Sequence, residues 1–185
     1  MGEVVLVTAR LELRRIVPDD IDRQLRLLNT PSVMKHLGGV KTREQVAEKH
    51  ARTQALWQSD GFGFMMMWER DTGEMVGHCG MKRVDNPLAA NIGDHEIGWL
   101  VCEERWRRGY AHEAMSAVVD WAFLQHGAPH LVALTSLANR GSWRLMEKLG
   151  MERRADLDFT DPAFPPADNP MIQYSLNQEQ WEAQS

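Results

Sequence analysis

The stretch Glu103 to Glu113 reads Glu-Glu-Arg-Trp-Arg-Arg-Gly-Tyr-Ala-His-Glu. Arg105, Arg107 and Arg108 crowd together, Gly109 follows, and an apolar series with helical spacing begins. The first amides of a helix have no internal partner, and the helix dipole is positive at that end. A glycine there lets a ligand reach the main chain with no Cβ in the way. Such a turn can hold a pyrophosphate, with main-chain N–H groups as donors and arginines as counter-charge, or be a plain helix start with solvated arginines. No Gly-x-x-x-x-Gly-Lys-Ser/Thr loop occurs, and no Gly-x-Gly-x-x-Gly follows a first strand. P-loop and dinucleotide readings are therefore excluded.

Other chemistries fare worse. His95-Glu96 and His112-Glu113 each begin like a His-Glu-x-x-His zinc helix, but the fifth positions are Trp99 and Ser116. The motif fails and no metal site is expected. The 7 histidines are scattered and read as structural or solvated. Met65, Met66 and Met67 alternate faces in a strand and read as core. A serine hydrolase has no Gly-x-Ser-x-Gly to start from.

These residues need a scaffold. The chain has 185 residues, a length suited to one domain spanning 1–185. Hydrophobic residues make up 43% and charged residues 25%, enough apolar material to bury a core. Lys and Arg number 21 against 26 Asp and Glu, a net charge of −5, which disfavours general binding to nucleic acid. No apolar run is long enough to span a membrane, and Met1–Arg10 carries no secretory pattern. Cys79 and Cys102 are then expected as reduced, buried thiols in a cytoplasmic protein.

Strand-like and helix-like segments alternate, which argues for α/β or α+β. Leu6 to Val17 reads as one strand. Pro18-Asp19-Asp20 opens a helix with Ile21, Leu25 and Leu28 on one face. Thr42 and Gln45 form a capping box for a helix running to about Ser59. Phe62–Glu69, Met75–Val84 and Ile92–Cys102 read as an antiparallel meander. Gly109 opens a helix that buries Ala111, Ala114, Met115, Val118 and Ala122 and stops at Gly127. Leu131–Leu137 is a strand, Asn139 starts a helix that Gly150 ends, and Met151–Phe159 and Met171–Leu176 are the last strands.

Trp106-Arg107-Arg108-Gly109-Tyr110-Ala111 resembles the acyl-CoA signature Arg/Gln-x-x-Gly-x-Gly/Ala of the GNAT N-acetyltransferases. His95-Glu96-Ile97-Gly98-Trp99-Leu100 upstream is similar to the strand that precedes it. Asn139, Ser142, Leu145, Gly150 and Met151 match the family's following helix. Thr8-Ala9-Arg10-Leu11-Glu12-Leu13-Arg14 resembles the first strand of the branch containing the ribosomal-protein alanine N-acetyltransferases. Trp106 departs from the usual Arg or Gln, and Met146 stands where many members carry a proton-donating tyrosine.

The resemblance implies a mixed, mostly antiparallel sheet flanked by helices and splayed between its fourth strand (Ile92–Cys102) and its fifth (Leu131–Leu137). It implies transfer of an acetyl group from acetyl-CoA to a primary amine, on a protein N-terminus or a small molecule. It also leaves open a different acyl group, or a module that binds CoA without chemistry. Leu100, Val101, Cys102, Arg107, Arg108, Gly109, Tyr110, Ala111, His112, Asn139 and Ser142 are the implied cofactor contacts. A main-chain amide from a bulge near Leu100 or Val101 is the implied oxyanion donor. Glu96, on a strand face with Gly98 and Leu100, is the candidate base, or a strand glutamate in a salt bridge. Ser142 is the candidate acid, or a first-turn serine behind an Asn139 cap. The acidic loop from Asp156 to Pro170 could draw a cationic acceptor through Asp156, Asp158, Asp161 and Asp168, or lie solvated. Trp57 and Trp181 look exposed and leave a homodimer possible.

Overall fold

The computed structural model describes residues 1–184. Eight strands form one sheet in the order β1-β2-β3-β4-β5-β6-β8-β7. They are β1 (Val4–Val7), β2 (Leu11–Arg15), β3 (Phe64–Glu69), β4 (Met75–Arg83), β5 (His95–Val101), β6 (His130–Ser136), β7 (Glu152–Arg153) and β8 (Met171–Asn177). The helices are α1 (Asp20–Leu27), α2 (Arg43–Ser59), α3 (Tyr110–Leu124), α4 (Arg140–Lys148) and α5 (Gln178–Glu182). Every strand pairing is antiparallel except β5 with β6. That parallel pair is joined only at His95–Leu131 and Glu96–Val132, after which the strands diverge. The expected splay is therefore present, and it counts as β5/β6 because the first expected strand is two.

The split of Leu6–Val17 has a local cause. Thr8 turns the chain by accepting the Leu11 N–H on its hydroxyl at 3.0 Å, while its own N–H donates to the Leu11 carbonyl at 2.8 Å. The expected strand from Met151 to Phe159 also shrinks, to Glu152–Arg153 with an isolated bridge at Phe159.

The capping box at Thr42 and Gln45 forms as expected and starts α2. The α1 helix, in contrast, turns Asp20, Gln24 and Leu28 inward rather than Ile21, Leu25 and Leu28. Gln24 meets the buried His50 of α2 at 2.6 Å, and Asp20 accepts the Val17 N–H. A polar bond thus fastens α1 to α2, and burial keeps His50 neutral against the pull of Asp20.

The sheet divides its two faces cleanly. Met65, Met67, Cys79, Met81, Ile97 and Val101 join α3 in the main core. Met66 and Trp68 point the other way, with Ile16 and Met75. Cys79 and Cys102 are buried free thiols. No helix among the described residues is long and apolar enough to cross a membrane. Trp57 and Trp181 are packed rather than exposed: Trp57 sits against Trp121 and donates to the Phe64 carbonyl, and Trp181 stacks on Phe123 and donates to Asp120.

Candidate active site

The α3 and α4 helices begin where β5 and β6 end, so two helix N-termini flank the splay. At the start of α3 the chain turns through Arg107 (φ 60°) and Gly109 (φ 82°), both left-handed. Arg107 and Arg108 are exposed, and Gly109 has no side-chain cap. The main-chain N–H groups of Arg107, Arg108, Gly109, Tyr110, Ala111 and His112 make no hydrogen bond within the described residues; the first helical bond runs from the Glu113 N–H to the Gly109 carbonyl. Consecutive open donors at a positive helix end form an anion cradle. These residues fit a diphosphate.

The cradle is braced from far along the chain. Arg10, in the β1–β2 turn, donates to the Arg108 carbonyl at 2.9 Å and to Glu113 at 2.6 Å, and its guanidinium lies 4.3 Å from the centre of the Tyr110 ring. Glu113 also accepts from the Thr8 hydroxyl at 2.6 Å and the Arg10 N–H at 2.7 Å. Burial of Glu113 works against its charge, but these bonds hold its carboxyl below the usual range. The Tyr110 hydroxyl bonds Glu69, which it holds low with help from Thr72 and Arg105. Tyr110 and Arg105 are thus supports of the turn, while the Tyr110 N–H stays open. Trp106, the departure from the usual signature, donates its indole N–H to the Val101 carbonyl at 2.8 Å and ties the strand end to the turn.

β5 pairs with β4 in unbroken register from Val101–Gly77 to His95–Arg83, so the expected bulge is absent. The Cys102 N–H donates to Val76 and the Val84 N–H to Asp94, which fixes the alternation: even-numbered β5 residues bond β4. The Ile97 amide falls within the β5–β6 pairing, and the amides of Trp99 and Val101 beyond it accordingly face the splay. Of the two expected positions, the Leu100 N–H is committed to β4 and the Val101 N–H is directed toward the splay. The Cys102 N–H is committed to β4, and its thiol is buried, which raises its pKa.

Glu96 stands opposite Lys82 and accepts from its ammonium at 3.2 Å; the same ammonium bonds Asp85 at 2.5 Å. Burial raises the Glu96 pKa, and Lys82 partly opposes this. Burial alone would lower Lys82, but Glu96 and Asp85 outweigh it and raise it. Asn139 caps α4, its side-chain oxygen accepting the Ser142 N–H at 3.4 Å. The Ser142 hydroxyl is half-buried and bonds nothing among the described residues. Met146 is buried in the core. Both tyrosines of the chain are bonded to glutamates, Tyr110 to Glu69 and Tyr174 to Glu147. No contact joins Glu96 to Ser142.

Each aspartate of the acidic loop has a partner within the chain. Asp156 pairs with Arg154 and Asp158 with Arg153, while Asp161 bonds Asn86 and the Ala163 N–H. Asp168 is buried between His36 at 2.6 Å and the Ser136 hydroxyl at 3.1 Å. No cluster of metal-ligating side chains lies among the described residues.

A splayed strand pair ending at a row of open amides is a site for a ligand that carries a diphosphate. A family model described as an acetyltransferase (GNAT) domain matches residues 10–152. The chain belongs to that family, and it is an acyltransferase; the family's donor is acetyl-CoA. YkkB of Bacillus subtilis, an uncharacterised protein, is 32% identical over 149 residues, covering 79% of this chain and 84% of its own. The uncharacterised N-acetyltransferase YoaA of the same organism is 29% identical over 155 residues, covering 83% and 85%. A solved acetyltransferase from Agrobacterium tumefaciens superposes with a TM-score of 0.77 at 30% identity, over 96% of each chain.

Proposed function

We propose that residues 1–185 form one cytoplasmic acetyltransferase domain that moves an acetyl group from acetyl-CoA to a primary amine, on a protein N-terminus or a small molecule. The observation that carries the reading is the row of open amides from Arg107 to His112 beside the splay. Arg107 and Arg108 would neutralise the diphosphate, Gly109 to His112 would hold it, and Asn139 would meet the carrier's arm from α4. Thr8 and Arg10 serve this turn, so the likeness to the ribosomal-protein branch supports shared donor binding there and leaves the acceptor at the level of a primary amine. The reduced, buried Cys79 and Cys102 support the compartment.

An amine attacks a thioester only when uncharged; a lysine-like amine has a pKa of about 10.4 and an α-amine nearer 8. The nitrogen forms a bond to the carbonyl carbon, the carbon–sulfur bond breaks, and one proton must travel from nitrogen to sulfur. The Val101 amide would meet the oxyanion. Glu96, raised by burial, would take the amine proton through water, and the Ser142 hydroxyl would return one to the sulfur. Thiol release from acetyl-CoA with an alanyl tripeptide, spermidine and glycinamide tests the reading. Turnover with at least one amine is expected; tight CoA binding without turnover would favour a binding module instead.

A further inference from the structure

On one face of the sheet, His78, Gly80 and Lys82 of β4 stand across from Leu100, Gly98 and Glu96 of β5. These positions, apart from the buried Gly80, are half-buried, whereas Cys79, Met81 and Ile97 behind them are fully covered. The tip of the Phe64 ring reaches over Gly98, where a Cβ would lie 3.1 Å from its Cζ atom. The ring therefore divides this face in two. Glu96 and Lys82, already bonded to each other, lie on one side, and His78 and Leu100 on the other.

His78 stands directly across from Leu100, the residue before the Val101 amide. Glu96 is four residues further along β5, about 13 Å at the usual rise of a strand. The His78 ring packs on Phe64 with centroids 5.3 Å apart and makes no hydrogen bond among the described residues. Burial, with the Lys49 ammonium nearby, lowers its pKa to about 3, so the ring is neutral and its lone pair is available. A base that weak does not compete for the amine's proton; it accepts a hydrogen bond.

We propose that His78 binds the acceptor: its imidazole accepts a hydrogen bond from the N–H of the uncharged amine and holds the nitrogen beside Leu100, facing the thioester. This rests on the reading that the acyl group lies against Val101. The ring orients the nucleophile and does not itself take its proton. The neutral ring and the nearby Lys49 ammonium also disfavour the ammonium form of the acceptor, so the site selects the reactive species.

The test compares the wild type, His78→Leu, His78→Gln and the surface control His130→Gln in the thiol-release assay, with CoA affinity measured by calorimetry. Loss of one hydrogen bond to the acceptor predicts a fall of about tenfold in kcat/KM for the amine in His78→Leu. The KM for acetyl-CoA and the CoA affinity stay at the wild-type value. His78→Gln, which keeps an acceptor oxygen, recovers most of the loss, and His130→Gln matches the wild type. Unchanged amine kinetics in His78→Leu, with the wild type active, overturns this inference alone. So does equal loss in the Leu and Gln variants with both folded and binding CoA. A wild type that binds CoA but turns over none of the three amines overturns the acetyltransferase reading and this inference with it.

Discussion

Replacing Gly109 with alanine tests the cradle with little other disturbance. Gly109 sits at φ 82°, and an added Cβ would meet only the Arg10 Nη2 atom, at 3.4 Å, an ordinary contact. Crowding is therefore not the cost. A side chain in the left-handed region costs about 1–2 kcal/mol. The turn either carries that strain or rotates to relieve it, and rotation spoils the aim of the amides behind it. At about 1.4 kcal/mol per factor of ten, CoA affinity should fall roughly five- to thirtyfold. The melting temperature should fall by about 2–8 °C for a chain of this size. Gly127→Ala is the control: φ is 56° there and nothing lies within 4 Å of the new Cβ, so it carries similar strain at the far end of α3. Calorimetry with CoA and thermal melts on all three proteins separate the effects. Gly109→Ala binding CoA as tightly as the wild type, or Gly127→Ala weakening it equally, would refute the reasoning.

Arg10→Ala removes the bonds to the Arg108 carbonyl and Glu113 together with the stack on Tyr110. Because this arginine is well exposed, about 1 kcal/mol of stability should be lost, and the KM for acetyl-CoA should rise several-fold while the amine KM holds. Ser142→Ala leaves the Asn139 cap intact, since that bond uses the Ser142 main-chain N–H. Its melting temperature should hold while kcat drops several-fold; an unchanged kcat removes Ser142 from the proton path. Burial lowers the pKa of His50, His78, His95 and His126, the first held against Asp20 and His95 lowered further by Arg83. Groups kept neutral in the folded state stabilise it above the ordinary histidine value and lose that contribution as pH falls. Melts should therefore drop between pH 6.5 and 5, with His78 alone contributing at most about 2 kcal/mol at pH 5, and His78→Gln should flatten the curve. A melting temperature independent of pH over that range would contradict the burial argument.

Local signals were legible where a residue type has a single conformational use. Thr42 with Gln45, and Gly109 and Gly150 in left-handed turns, mark helix ends that the structure places as read. The three consecutive methionines divide between two cores, as strand alternation requires. The Thr8 turn stayed hidden because it carries no glycine or proline, and the threonine hydroxyl does the work of a turn residue. The face of α1 was misread because a buried polar bond from Gln24 to His50 replaces apolar packing. Arg10 and Glu113 are 103 positions apart, so no window along the chain could join them. His78 looked like one scattered histidine among several; only the pairing of β4 with β5 sets it across from Leu100. Trp106 and Met146 stood out as departures, and contacts explain the first: its indole holds the Val101 carbonyl.

Amide hydrogen exchange across residues 107–112, with and without CoA, probes the central claim at the atoms that carry it. Six N–H groups that are unbonded in the free protein should exchange fast alone and slow markedly when CoA is added, while the α5 peptide is unaffected. CoA binding with no change in exchange over that turn would contradict the account.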